Sequence, residues 1–231
     1  MHVLIIGGSG RCGRLVIDEL LRRGHTVTAL VRDPEAMGAP RPNLHFIKGT
    51  PTHLPDIRTA FRAAAAAATS LALAAVIVTL SAPRTSDSPF SAPLGPPLLM
   101  ADCNANIVQA MQEFGVRKTV ILQACGVGAS WKNMPWLLRL LMGKTNMAYQ
   151  YADHNEVERR VRGSGVGFVF VRPMRLTEGD DVDTEKVKIW ENDGQGVPLM
   201  GSISRRSVAR FLVDVAEGDE WVGAAPVITS R

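Results

Sequence analysis

Residues 3 to 13 read Val-Leu-Ile-Ile-Gly-Gly-Ser-Gly-Arg-Cys-Gly, an apolar run that breaks into a turn with Gly7, Gly10 and Gly13 three positions apart. The residues after this turn restrict the fold. Cys12, Val16 and Leu20 recur at helical spacing beside Ile17 and Leu21, while Arg14, Asp18 and Arg22 fall on the opposite face. Gly24 is placed to stop this helix, and a second apolar run, Thr26 to Val31, comes next. Strand, glycine turn, helix and strand within about 30 residues make a βαβ unit, in which the glycines let backbone N–H groups approach a pyrophosphate at a helix N-terminus. Three glycines alone also suit a plain surface turn; the flanking strands and helix favour the dinucleotide reading.

The tip of the second strand lies beside the adenosine ribose in such a unit, where a carboxylate serves NAD and an arginine serves the 2′-phosphate of NADP. Here the tip is Val31-Arg32-Asp33-Pro34. Arg32 takes the deciding place, and Arg11 in the glycine turn can bring a second guanidinium to the same phosphate, so the expected cofactor is NADP(H). The alternative keeps both arginines solvated and gives the ribose to Asp33.

The same rhythm continues along the chain. Leu44 to Lys48 reads as a third strand, Pro55 to Ala68 as a helix and Ala74 to Leu80 as a buried strand; Pro83 to Pro97 is a long loop rich in Ser and Pro. Next come a helix from Leu98 to Phe114, a strand from Lys118 to Leu122, helices near Pro135 to Met142 and Met147 to Arg162, and a strand from Val166 to Val171. Thr184 to Ile189 and Gly196 to Leu199 read as short extended pieces, Ser204 as the N-cap of a helix over Arg205 to Glu217, and Pro226 to Thr229 as a last strand. The expected fold class is α/β, a Rossmann-type doubly wound parallel sheet with helices on both faces. Residues 1–231 are expected to form a single domain, with about 174–204 contributing a cap on the substrate side.

Charge and composition narrow the function classes. The chain has 231 residues and a formal net charge of +4 without a dense Lys/Arg block, so nucleic-acid binding is not expected. Its three cysteines, Cys12, Cys103 and Cys125, lack metal-ligand spacing and cannot all pair. No metal is expected, and a reducing, cytoplasmic setting is. Ala63 to Ala82 carries no charge, but an alanine run followed by strong hydrophobes only in Leu71 to Leu80 reads as a helix and then a strand, not a membrane span.

Taken in order, the glycine turn, Val31-Arg32-Asp33-Pro34, Glu113-Phe114-Gly115-Val116-Arg117-Lys118, Gly126-Val127-Gly128 and Ser164-Gly165-Val166 leading to Val171-Arg172-Pro173 resemble the atypical short-chain dehydrogenases. The chain is most similar to the NAD(P)H-binding group that includes NmrA-like proteins and biliverdin-IXβ reductase, also called flavin reductase. The resemblance implies that Gly7, Ser9, Gly10, Arg11, Cys12 and Gly13 hold the pyrophosphate and that Arg32 meets the 2′-phosphate. It further implies that Leu80 and Ser81 flank the nicotinamide-side ribose, with Pro173 near the nicotinamide. Where that group commonly has Gly-Asp after the third strand, this chain has Gly49-Thr50.

The catalytic residues depart further. Short-chain dehydrogenases pair Tyr-x-x-x-Lys so that lysine lowers the tyrosine pKa, but here Tyr149 is followed four positions later by Asp153 and Tyr151 by Asn155. The serine frequent at the end of the fifth strand is replaced by Gln123-Ala124-Cys125. The remaining candidates for acid–base work are Tyr149, Tyr151, Asp153 and His154, each of which also fits a packing role; Asp153-His154 matches an Asp-His of the resembling reductases. Trp131, Met134 and Trp136, in a stretch rich in Trp, Met and Leu, suit a flat apolar ligand, and suit a core or a dimer contact equally well.

The expected activity is an NADP(H)-dependent oxidoreductase acting on a conjugated, largely apolar small molecule such as a quinone, flavin, polyketide or tetrapyrrole-like compound, by cofactor positioning without the tyrosine–lysine relay. Two alternatives stand beside it: an NmrA-like redox sensor that binds NADP(H) without turnover, and a non-redox isomerase, cyclase or dehydratase on the same scaffold.

Overall fold

Strands β1 (His2–Ile6), β2 (Thr26–Val31), β3 (Leu44–Lys48), β4 (Leu73–Val78), β5 (Lys118–Leu122), β6 (Gly167–Pro173), β8 (Val187–Trp190) and β10 (Val227–Ser230) form one sheet in the order β3-β2-β1-β4-β5-β6-β10-β8. All neighbours are parallel except β8, which runs antiparallel to β10 along the edge. A second, two-stranded parallel sheet pairs β7 (Arg175–Thr177) with β9 (Ser202–Ser204). This computed structural model describes residues 1–67, 73–178 and 186–231.

The two faces of the sheet arise from strand alternation, since successive side chains point to opposite sides. Val3 and Ile5 of β1, Val27, Ala29 and Val31 of β2 and Ala75 and Ile77 of β4 pack with Val16, Ile17 and Leu20 of α1 (Arg11–Arg22) and Val208 and Leu212 of α7 (Arg205–Glu217). The intervening residues, Leu4, Ile6, Leu30, Val76 and Val78, face α2 (Leu54–Ala67), α3 (Leu99–Phe114) and α5 (Met147–Arg162) through Phe61, Ile107, Met111, Val157 and Val161. Between α3 and α5 in sequence lie a 3-10 segment, Gly128–Asn133, and α4 (Trp136–Lys144); α6 is a single turn, Glu191–Gly194.

Most expected elements appear within a residue or two. Ser204 does cap α7, its hydroxyl accepting from the Ser207 N–H at 3.0 Å. Gly24, at φ 78°, comes just after the end of α1 as its stop. The apolar stretch around residue 70 separates into α2 and β4, and no helix among the described residues is long and apolar enough to cross a membrane. The expected helix end at Ala68 and the expected start of an extended piece at Thr184 lie outside the described residues.

Two expectations are corrected. Gly196 to Leu199 is not extended: Gly194 and Gly196 have φ of 88° and 79°, which turn the chain, and Val197 N–H closes onto the Gly194 carbonyl at 3.1 Å. The sixth strand continues two residues past Val171, because Pro173, although it lacks an N–H, still offers its carbonyl to Cys125 at 2.9 Å.

Candidate functional site

The order reverses between β1 and β4, and the crevice at such a switch point, beyond the carboxyl ends of the strands, is where open α/β sheets bind ligands. A cleft of about 310 Å³ lies there, lined by Gly7, Ser9 and Gly10 of the glycine turn, Arg32 beyond β2, Gly49 and Thr50 beyond β3, Leu80 and Ser81 beyond β4, and Met100 and Cys103 of α3.

The turn is built for close approach. Thr79 donates its N–H to Ile6 O at 2.9 Å and its hydroxyl to Gly7 O at 3.0 Å, stitching β4 to β1. Gly7 adopts φ 92°, and a Cβ there would stand 2.8 Å from the Thr79 carbonyl carbon. Gly13 packs α1 onto the turn so closely that a Cβ would collide with the Gly7 carbonyl oxygen and lie 2.7 Å from Gly8 Cα. Gly10 is the N-cap of α1; no side chain caps it and the first turn holds no acidic residue, so the first amides are left for an anion. These features fit a dinucleotide pyrophosphate.

At the rim beyond β2, Arg32 is exposed, lines the cleft and forms no ion pair among the described residues. Asp33 is engaged elsewhere: its Oδ1 accepts the Glu35 N–H at 3.1 Å, an Asx turn that opens a short 3-10 segment, Glu35–Met37. Arg11, expected beside Arg32 at the same phosphate, is turned to Asp87 of the Ser/Pro loop at 2.8 Å and to Glu178 at 3.6 Å. Glu178 also pairs with Arg205 at 2.6 Å, so the segment after β7 is joined to the starts of both α1 and α7. Cys12 is buried, and burial pushes its thiol up while Arg205 and Arg11 act the other way.

The acid–base candidates are scattered over α5. Tyr149 is 63% exposed and makes no hydrogen bond among the described residues. Tyr151 donates its phenol to the Cys125 carbonyl at 2.8 Å and meets Trp131 edge-on, with ring centroids 5.8 Å apart. Burial, and secondarily Cys125, push its pKa up. Burial and then Arg172 lower His154 to about 4, so its imidazole is neutral at pH 7. Asp153 accepts from Met100 N–H at 2.9 Å and Ala101 N–H at 2.8 Å, which makes it a cap, supplied by α5, for the first turn of α3. Burial pushes its carboxyl up, against these two amides.

The cap carries a prediction. Asp153→Ala is expected to lower stability by about 1–2 kcal/mol in urea unfolding. It should also weaken nucleotide binding, because the turn it fixes presents Met100 and Cys103 to the cleft. A variant with an unchanged unfolding midpoint would remove the capping role.

Trp131, Met134 and Trp136 do not line the 310 Å³ cleft. Met134 is buried beneath Gly126, Trp131 packs on Tyr151, and Trp136 is 69% exposed on α4. Pro173 sits buried at the tip of β6, and Cys12 and Gly13 lie behind the turn.

Several residues carry no clear signal in the sequence. Thr79, which stitches the cleft, looks like any strand end. Arg172 is visible only inside Val171-Arg172-Pro173, yet it is fully buried, pairing with Glu158 and donating to Gln123 Oε1 at 3.3 Å. Asp87 and Glu178 give no sign of their role, being single carboxylates in irregular chain. Among the described residues no group of His, Cys, Asp or Glu is arranged to hold a metal.

An uncapped helix N-terminus behind a glycine turn, at the switch point of a Rossmann-type sheet, defines a dinucleotide-binding protein. The chain belongs to the NAD(P)H-binding family, whose model matches residues 7–219. Similar solved structures include the anaerobillin reductase ChuY from Escherichia coli O157:H7, at 16% identity and TM-score 0.74 over 100% of this chain and 98% of that one. A short-chain dehydrogenase/reductase from Veillonella parvula in complex with NADP matches at 14% identity and TM-score 0.75, over 99% of this chain and 94% of that one. A putative NAD-dependent epimerase/dehydratase from Bacillus halodurans matches at 18% identity and TM-score 0.73, over 100% and 94%. At these identities the likeness is one of fold.

Proposed function

We propose that the protein is an NADP(H)-dependent reductase of the atypical short-chain dehydrogenase type, acting on a conjugated, largely apolar small molecule such as a quinone, flavin, polyketide or tetrapyrrole-like compound. The observation that carries the cofactor preference is the state of the β2 tip: Arg32 stands at the cleft with no ion pair among the described residues, while the Asp33 carboxylate is folded back onto Glu35 N–H. An arginine free to take a phosphate, beside a carboxylate already committed, favours NADPH over NADH. The NADP complex of the Veillonella parvula protein and the reductase activity in the name of ChuY support the reading.

Bound NADPH supplies hydride at the nicotinamide. The chain's part is to hold the pyrophosphate at Ser9, Gly10 and the first turn of α1, to flank the ribose with Leu80 and Ser81, and to bring Pro173 and the described parts of the substrate-side segment, 174–178 and 186–204, over the acceptor. Acid–base help from α5 is limited in this state. The Tyr151 proton is held by Cys125 O and His154 is neutral, so an acceptor that takes its proton from solvent suits the site best. The same engaged groups favour a second reading, an NADP(H)-binding sensor without turnover.

Arg32→Glu tests the first reading. It is expected to raise Kd for NADPH by about 10–100-fold, the loss of a charge-assisted pair, while Kd for NADH moves little. Equal loss for both nucleotides would refute the phosphate role. Consumption of NADPH with a panel of quinones, FMN and biliverdin then separates reductase from sensor, since tight binding with no turnover on any acceptor supports only the latter.

A further inference from the structure

We infer that Arg14 is the second cation of the 2′-phosphate site, the place that Arg11 leaves open. This rests on the NADP(H) reading above and names a further residue that sets the specificity of that site.

Arg14 projects from the first turn of α1 and bridges the two segments that border the adenosine ribose. Its Nε donates to the carbonyl of Ser9, in the glycine turn, at 3.2 Å. Its Nη2 donates to the carbonyl of Ala36, four residues beyond Arg32, at 2.9 Å. The guanidinium therefore lies along the seam between the turn and the chain leaving β2, and Ser9 and Arg32 on the two sides of that seam both line the cleft. Two carbonyls fix the plane of the group, and Nη1 has no partner among the described residues.

Its charge is also uncommitted. Arg14 is exposed and forms no ion pair among the described residues, whereas Arg11 is held by Asp87 and Glu178. A guanidinium whose only partners are neutral carbonyls keeps its full charge for an incoming dianion, and its held orientation reduces the side-chain entropy lost on binding. Arg11 opens α1 beside the uncapped amides that fit a pyrophosphate, the group that NADH and NADPH share.

Fluorescence titration of NADPH and NADH against the wild type, Arg14→Gln and Arg11→Gln tests the assignment. Arg14→Gln is expected to raise Kd for NADPH by about tenfold or more and leave Kd for NADH within about twofold, with Arg14→Lys recovering part of the preference. Arg11→Gln is expected to shift both nucleotides alike. The NADPH effect of Arg14 should fade as salt is raised, which a purely structural bridge between Ser9 and Ala36 would not show. Equal weakening of both nucleotides by Arg14→Gln, or none, overturns the assignment while leaving Arg32 intact. A wild type that binds NADH as tightly as NADPH overturns the reading on which it rests.

Discussion

Gly13→Ala is expected to abolish measurable dinucleotide binding and to lower stability by about 1–3 kcal/mol, the range for forcing a methyl into a packed site. The added Cβ has nowhere to go: it meets the Gly7 carbonyl oxygen and lies 2.7 Å from Gly8 Cα and 2.9 Å from the Gly7 carbonyl carbon, all backbone atoms. Relief requires α1 to lift from the turn, but Val16, Ile17 and Leu20 pin it to the sheet. The turn must therefore deform, and its amides lose their aim at the pyrophosphate. Thermal denaturation with and without NADPH reads both effects. The variant should melt lower and gain nothing from nucleotide, and a ligand-induced rise in Tm equal to that of wild type would sink the close-approach argument.

Glu158→Ala is expected to cost about 3–5 kcal/mol, because it strands a charge that cannot reach water. Arg172 is fully buried, burial pulls its pKa down, and Glu158 is its ion-pair partner; without Glu158 the guanidinium keeps the Gln123 Oε1 contact at 3.3 Å. Glu158 also accepts from Arg162 of the same helix at 2.7 Å, so the variant gives up an i,i+4 pair within α5 as well as the tie to β6. For a chain of this size the loss corresponds to a fall in Tm of roughly 6–20 °C. Glu158→Gln, which keeps an acceptor oxygen, should fall between the two. A drop under about 1 kcal/mol for Glu158→Ala would mean that Arg172 finds water or another acceptor.

The parts of this protein that are legible in the sequence are those governed by local periodicity. β1, the glycine turn, α1 and β2 announce themselves because apolar spacing switches from continuous to helical and back, with Gly24 between. Pairings that span the chain do not. β7 and β9 are three residues each and acquire their meaning only from meeting one another, and β8 runs against its neighbour for reasons no spacing displays. The position of the cleft is legible through the glycines and Arg32 that line it. Asp153 shows why the rest is not: a carboxylate next to a histidine reads as chemistry, and only the fold reveals that it is spent on the amides of Met100 and Ala101, more than fifty residues away. Arg11 is similar, since its attachment to Asp87 depends on a loop whose course the sequence leaves open.

The Thr79 stitch has a thermodynamic consequence. The strand order runs outward in opposite directions from β1 and β4, and the hydrogen bonds from Thr79 to Ile6 and Gly7 hold the tips of these two neighbours together where the crevice opens. Freezing a glycine-rich segment is entropically expensive, and here that ordering is completed when the chain folds rather than when a ligand arrives. An incoming nucleotide meets a gauge already set to width. Differences in affinity between one nucleotide and another are then decided by the few side chains standing at its edge.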